Sequence, residues 1–337
     1  MTSTYFCGAN SAQGFYSLYD EFPPNGIRHI LKGCPGSGKS GFMRAVGTQA
    51  ERRGLCVEYV LCSGDPDSLD GVYIPALGEA WVDGTAPHVL EPGPFGIDGD
   101  YVNLGRFCRG DFSDASREAI GDITRRYKAL YAESYGYLAA AARLVPERKY
   151  SLSPLEKRLE VILRHSVNED KPTQRRVFLR AISCKGVISL ADTLHGYDEY
   201  YVFTSSCGGN APALELVRRV AERRGLSMII AMSPLEPDKI EALLLPGAKI
   251  AFFGSAYRIG AARHIRLDSM LAERPDSESA ARLKTSARIY DRLLALALDT
   301  LRRAKALHDE LEAQYRPYMD FAALTEFTEK ELRRIFD

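Results

Sequence analysis

The sequence predicts an α/β protein built from two related cores, each with a mostly parallel sheet and each followed by long helices. Three observations predict it. A glycine-rich run, Gly33-Cys34-Pro35-Gly36-Ser37-Gly38-Lys39-Ser40, falls between a strand pattern at Ile27–Lys32 and a helix pattern at 41–53. Ala50-Glu51-Arg52-Arg53-Gly54-Leu55 returns letter for letter as Ala221-Glu222-Arg223-Arg224-Gly225-Leu226, an offset of 171 residues. Apolar residues then recur at spacings of three and four over 120–144 and 290–315, the rhythm of helices packed side by side.

The glycine-rich run comes first in the chain and carries the most specific chemistry. Such a turn, closed by Lys and Ser at the mouth of a helix, aims backbone N–H groups at a polyphosphate. Lys39 then reaches the β and γ phosphates, and the Ser40 hydroxyl ligates Mg²⁺, with Gly41 opening the helix behind them. Cys34 reads as a small filler of the loop rather than as a redox-sensitive thiol.

The next strand, 56–61, leads into Asp65-Pro66-Asp67-Ser68-Leu69-Asp70. At the same offset lies Glu236-Pro237-Asp238-Lys239-Ile240-Glu241, so the carboxylates are kept. Both segments predict helix starts, with an acidic cap and Pro in the first helical position. Asp65 and Asp67 also follow a strand end, where a water or an acceptor hydroxyl is activated. They therefore stand as catalytic candidates behind the capping role, while Asp70 reads as structural.

Glu79-Ala80-Trp81-Val82-Asp83 is a short buried strand ending in a carboxylate, the arrangement in which an Asp holds Mg²⁺ through its water shell. The repeat offers an internal control on this assignment. Gly33 falls on Thr204, Gly36 on Cys207, Lys39 on Asn210, Ser40 on Ala211 and Asp83 on Gly254, while Gly38 persists as Gly209. The copy has thus lost the cation and both metal ligands together. A neutral Asn cannot replace an ammonium whose charge-assisted contact is worth about 1.5–3 kcal/mol. Further back, Ser17-Leu18-Tyr19-Asp20 matches Ser189-Leu190-Ala191-Asp192 at an offset of 172, which places a single deletion in the loop 21–26.

Pro and Gly mark a loop from Asp83 through Asn103-Leu104-Gly105, and loops at the ends of parallel strands are where ligands bind. Arg106 or Arg109 is placed to reach a phosphate or an acceptor. His88 is paired with His264 as its counterpart, which favours a structural histidine. In the helices, the seam runs Ile120, Ile123, Tyr127, Leu130, Ser134, Tyr137, Ala141, Leu144 and then Tyr290, Leu294, Ala297, Leu301, Ala304, His308, Leu311, Tyr315. Shorter helices are predicted at 154–164 and 328–336.

With 337 residues the chain suggests two domains, 1–172 and 173–337. Lys+Arg and Asp+Glu both number 44, so no overall field draws it to nucleic acid or to an anionic membrane. Seven cysteines without a C-x-x-C pair fit a reduced, cytoplasmic protein. No apolar run approaches a membrane span, and no basic and apolar leader opens the sequence.

The ordered set of 33–40, Asp65-Pro66-Asp67-Ser68-Leu69-Asp70-Gly71, Asp83-Gly84-Thr85-Ala86-Pro87-His88 and Asn103-Leu104-Gly105 resembles an uncharacterised bacterial family of tandem P-loop ATPases or nucleotide-kinase-like proteins, over nearly the whole length. The resemblance implies P-loop NTPase cores; in that family both halves usually carry a P-loop, from which Asn210 and Ala211 depart. Neither an L-S-G-G-Q signature nor an N-K-x-D motif occurs, which favours ATP over GTP. The expectation is an Mg²⁺-dependent ATPase with one active site in the first half and a pseudo-NTPase second half. Two alternatives stay open. One is a small-molecule or nucleotide kinase using residues 83–126 as acceptor site and lid, and the other is a nucleotide-gated protein that presents its helices to a protein partner.

Overall fold

The computed structural model describes every residue except Met1, Phe95, Gly96, Arg148, Ser206, Cys207, Gly208, Arg274 and Pro275. The first half contains β1 (Ser3–Phe6), the hairpin β2 (Gly8–Ser11) and β3 (Gly14–Ser17), β4 (Ile27–Lys32), α1 (Lys39–Arg52), β5 (Glu58–Leu61), β6 (Leu69–Ile74), β7 (Glu79–Asp83), β8 (Gly99–Asn103), α2 (Asp114–Ala142) and α3 (Ser153–Ile162). The second contains β9 (Gln174–Val177), the hairpin β10 (Arg180–Ser183) and β11 (Gly186–Ser189), β12 (Glu199–Thr204), α4 (Ala211–Arg223), β13 (Met228–Met232), β14 (Ile240–Leu245), β15 (Ile250–Phe253), β16 (Arg263–Arg266), α5 (Ser277–Tyr315) and α6 (Phe321–Phe336).

Strand order shows the duplication directly. One six-stranded sheet runs β8-β4-β7-β6-β5-β1 and the other β16-β12-β15-β14-β13-β9, the same order of corresponding elements. In each, one strand, β6 or β14, is antiparallel to both neighbours and the remaining pairs are parallel. The strands bury both faces. On β4, Leu31 packs with Phe42, Met43 and Val46 of α1, while Ile30 turns to the opposite face. On that opposite face one cluster joins Ile30, Val60 and Val82 to Val202, Ala242 and Phe253, so the halves share a core.

The predicted helix pair is present. Ile123 of α2 packs with Leu307 and Leu311 of α5, and Leu138 with Ala297 and Leu301. Both helices start on side-chain caps, Ser113 accepting from the Ser116 amide and Asp276 from the Ser279 amide. His308 meets the edge of the Tyr127 ring in this seam. No helix among the described residues is long and apolar enough to cross a membrane.

Several expectations change. Asp65-Pro66-Asp67 and Glu236-Pro237-Asp238 start no helix; each is a β-turn entering a strand, closed by Ser68 N donating to Asp65 O at 2.9 Å and Lys239 N to Glu236 O at 2.8 Å. Pro at the second turn position presets its φ, so the residues that resemble a helix cap serve the turn instead. The helix expected at 328–336 begins earlier, where Asp320 caps it by accepting from the Ala323 amide.

The sequence repeats are also not the packing units. Leu155 and Leu159 of α3 are buried with Leu214, Val217 and Val220 of α4. Conversely, Leu324 of α6 is buried with Phe42 and Met43 of α1, and Phe327 stacks on Phe42. Each half therefore sends its last helix onto the other.

Register moves the deletion in the copy. Ile30 faces Val82, and Val202 faces Phe253. β4 thus maps on β12 with an offset of 172, while Gly38 and Gly209, both left-handed at φ 85° and 79°, lie 171 apart. The missing residue lies inside the glycine loop, not in 21–26. Thr204 corresponds to Lys32 rather than to Gly33, and the copy has four residues between Thr204 and Gly209 where the first half has five between Lys32 and Gly38. The position assigned to Cys207 lies outside the described residues. His264 faces Val202 as Tyr101 faces Ile30, so its counterpart is Tyr101 and not His88.

Candidate functional site

The site forms where β4 hands the chain to α1. Gly36 and Gly38 adopt φ of 73° and 85°, a region that costs any residue with a Cβ, so the loop turns sharply enough to start α1 at Lys39. At Gly33 a Cβ would lie 2.4 Å from Ser37 Oγ, so glycine is also required for space. Ser37 Oγ is buried and has no hydrogen-bond partner among the described residues.

Lys39 curls over its own loop, donating to Gly33 O and Cys34 O at 3.1 Å each. Its ammonium lies 3.8 Å from Asp83 Oδ2, with both side chains almost buried. β7 runs parallel beside β4 and pairs Asp83 with Leu31, which brings the carboxylate to the loop. Asp83 Oδ1 accepts from the Thr85 amide at 2.8 Å and the Thr85 hydroxyl at 2.6 Å, fixing the rotamer. Burial, reinforced by the nearby charge of Asp70 and opposed by Lys39, lifts the Asp83 carboxyl above its usual range. Ser40 Oγ accepts from the Leu69 amide at 2.9 Å, tying the start of α1 to β6.

Asp65 and Asp67 are not gathered with this group by any ion pair. Asp65 Oδ2 meets Lys305 Nζ of α5 at 3.3 Å. Asp67 is exposed and paired with Lys185, and its carbonyl accepts from Arg44 at 2.8 Å. Arg106 lies over the Phe327 ring at 4.4 Å, and Arg109 pairs with Asp320 at 3.2 Å, so both arginines serve contacts with α6. Cys34 touches Cys108, and burial pushes its thiol up to about 11, which leaves it protonated and weakly nucleophilic.

The second half reaches the loop, a feature the sequence did not signal. Beyond residue 305 the helix α5 continues to Tyr315, and a Cβ at Gly36 would lie 3.5 Å from Glu312 Cβ. At Gly38 a Cβ would come within 2.7 Å of Leu324 Cδ2 on α6. The first half's loop is thus walled by the second half's helices.

The copy keeps the frame without the charges. A Cβ at Gly254 would lie 3.6 Å from Asn210 Cβ, so Asn210 and Gly254 face each other as Lys39 and Asp83 do. Asn210 Nδ2 donates to Ser255 Oγ at 2.6 Å, and its Oδ1 has no partner among the described residues. Comparison with family models, curated proteins and solved structures finds no match for this chain.

Proposed function

We propose that the chain binds MgATP on the 33–40 loop and hydrolyses it there, with one active P-loop core in the first half and a degenerate P-loop core in the second. The observation that carries this reading is the Lys39–Asp83 pair, 3.8 Å apart beside two left-handed glycines and replaced together by Asn210 and Gly254 in the copy. The residues fit both ligands. Free amides at the start of α1 and the positive end of its dipole suit a polyphosphate. Among the described residues there is no cluster of three or more His, Cys, Asp or Glu for a protein-only cage, whereas Ser40 and Asp83 suit an ion that keeps waters and takes its other ligands from phosphate.

Lys39 has three donors and now spends two of them on neutral carbonyls. Turned to the β and γ phosphates, it would exchange these for charge-assisted bonds and follow the charge that develops in phosphoryl transfer. Thr85 keeps Asp83 oriented as a hydrogen-bond acceptor. Leu324 and Glu312 lie beside the loop on the α5–α6 side. Bound Mg²⁺ would supply charge neutralisation at the phosphate oxygens.

The test is γ-phosphate release from ATP by the wild type and by Lys39→Ala. We expect a loss of about 10²–10³-fold in the variant; equal rates would end the proposal.

A nucleotide-gated interaction protein is favoured by one separate observation, the contact of α5 with the loop at Gly36. Tight ATP binding without turnover, together with ATP-dependent change in protease sensitivity of α5, would select it.

A further inference from the structure

His88 lies outside every role assigned above, yet its surroundings are unusual. Its ring is buried, 6% exposed, between Phe15 and Tyr19. Nε2 meets Asp70 Oδ2 at 3.2 Å, and the same oxygen accepts from the Tyr19 hydroxyl at 2.9 Å. Nδ1 is buried with no hydrogen-bond partner among the described residues. A buried polar atom left in that condition destabilises the fold, so a histidine here needs a reason that apolar packing does not supply.

The reason lies in the turn that His88 ends. This turn begins at Asp83 and is held at each stage. Gly84 N donates to Leu31 O at 3.0 Å, Thr85 binds Asp83, and His88 N donates back to Thr85 O at 2.8 Å. Lys32 Nζ crosses the turn, donating to Gly84 O at 2.7 Å and Leu90 O at 3.2 Å. The His88 ring is the one side chain of the turn driven into the core, and Asp70 is its anchor.

The copy repeats the anchor with other chemistry. Glu241 stands for Asp70, and Tyr257, from the turn after β15, meets it at 3.3 Å while Arg180 pairs with it at 2.6 Å. In both halves a largely buried carboxylate on the antiparallel strand holds the turn that follows the adjacent strand. Only in the first half does that turn begin with a carboxylate to be aimed, and only there is the side chain held by the anchor a histidine.

We propose that His88 is a positioning residue for Asp83: through its bond to Asp70 it fixes the Asp83–His88 turn, and with it the direction of the carboxylate toward the metal–phosphate site. This rests on the MgATP reading of the same site. The charges support it. Burial pushes His88 down, but the charge and hydrogen bond of Asp70 outweigh burial and raise it. Burial likewise pushes Asp70 up, and His88, Tyr19 and Cys62 outweigh it and hold it low. Both directions favour the ionised pair, whose bond is charge-assisted.

Two measurements on the full chain test this. Amide exchange of peptides over residues 83–90 is compared, without nucleotide, among wild type, His88→Phe and His88→Gln, since a Gln amide still donates to Asp70 and a Phe ring cannot. Faster exchange in the Phe variant, with peptides over α1 unchanged and the Gln variant close to wild type, supports the anchor; equal exchange in all three overturns it. ATP affinity is then measured by calorimetry with Mg²⁺ and with EDTA. The Phe variant should lose about 10-fold or more of the Mg²⁺-dependent gain while keeping its Mg²⁺-free affinity, as for other residues that orient a metal-site carboxylate. A Phe variant with the full Mg²⁺ gain overturns the positioning role. Wild-type protein that binds no ATP overturns the functional reading, and the exchange experiment still decides the anchor.

Discussion

Phe6 and Phe178 exchange backbone hydrogen bonds, Phe6 N donating to Phe178 O at 2.9 Å and Phe178 N to Phe6 O at 2.8 Å, and they occupy the same position of the repeat. Ser134 Oγ donates to Ala297 O at 3.2 Å, and these two also correspond, counted from the caps Ser113 and Asp276. Contacts between equivalent positions mark a two-fold axis, here an internal one. The chain is a dimer of repeats in one polypeptide, with α3 and α6 exchanged between the halves.

That exchange predicts that the repeats do not fold apart. A fragment of residues 1–172 lacks α6, whose Leu324 and Phe327 cover α1, and leaves Leu155 and Leu159 of α3 without α4. Near-UV circular dichroism of the fragment should show no fixed aromatic environment. In the full chain, Leu159→Ala should cost about 2–5 kcal/mol by urea unfolding, although Leu159 belongs to the first repeat and its core to the second.

Gly38→Ala should destabilise the protein by about 1–3 kcal/mol, because φ is 85° and the new Cβ would meet Leu324 at 2.7 Å. Adding Leu324→Ala should recover the steric part and leave the backbone part. Urea titrations of the single and double variants separate the two.

His29 should make stability depend on pH. Its Nδ1 meets Asp100 at 2.6 Å and its Nε2 meets Glu79 at 3.1 Å. Carboxylates only accept, so this pair of partners favours the imidazolium, in which both ring nitrogens carry protons. Burial lowers its pKa, but the bonds and charges of Glu79 and Asp100 outweigh burial and raise it. With the folded value above the unfolded one near 6.5, the contribution is complete below about pH 6.5 and is lost as pH rises through the folded value. The stability difference between wild type and His29→Gln should therefore shrink as urea titrations move from pH 6 to about pH 9.

Restoring charge to the copy should not restore a second site. Asn210→Lys with Gly254→Asp rebuilds the facing pair, but the loop remains one residue shorter than 33–40. Calorimetry should give about one ATP per chain for the wild type and for the double variant, because a shorter loop cannot place the same set of amides around a polyphosphate. Two per chain in either protein would contradict this.

Much of the fold was legible in the residues. Spacing of Gly, Lys and Ser between a strand and a helix pattern located the loop, and an exact six-residue repeat located the copy, because both are local patterns that read along one chain. The pairing of Lys39 with Asp83 was also reachable, since two residues lost together in a copy point to one place. The turns at Asp65 and Glu236 were misread because Pro after an acidic residue suits a helix start and a β-turn alike, and only the following strand pairing chooses between them. His88 was matched to His264 by letter, whereas strand register sets His264 opposite Tyr101.

The sequence by itself determined that there are two related α/β halves and that one carries a Lys and an Asp where the other has Asn210 and Gly254. Only the tertiary structure decided which half completes which. The exchange of α3 and α6 and the reach of Glu312 and Leu324 to the glycine loop join residues distant in the chain. Their geometry is set by the burial of apolar faces across the internal two-fold axis, a constraint on three-dimensional packing that no local spacing records.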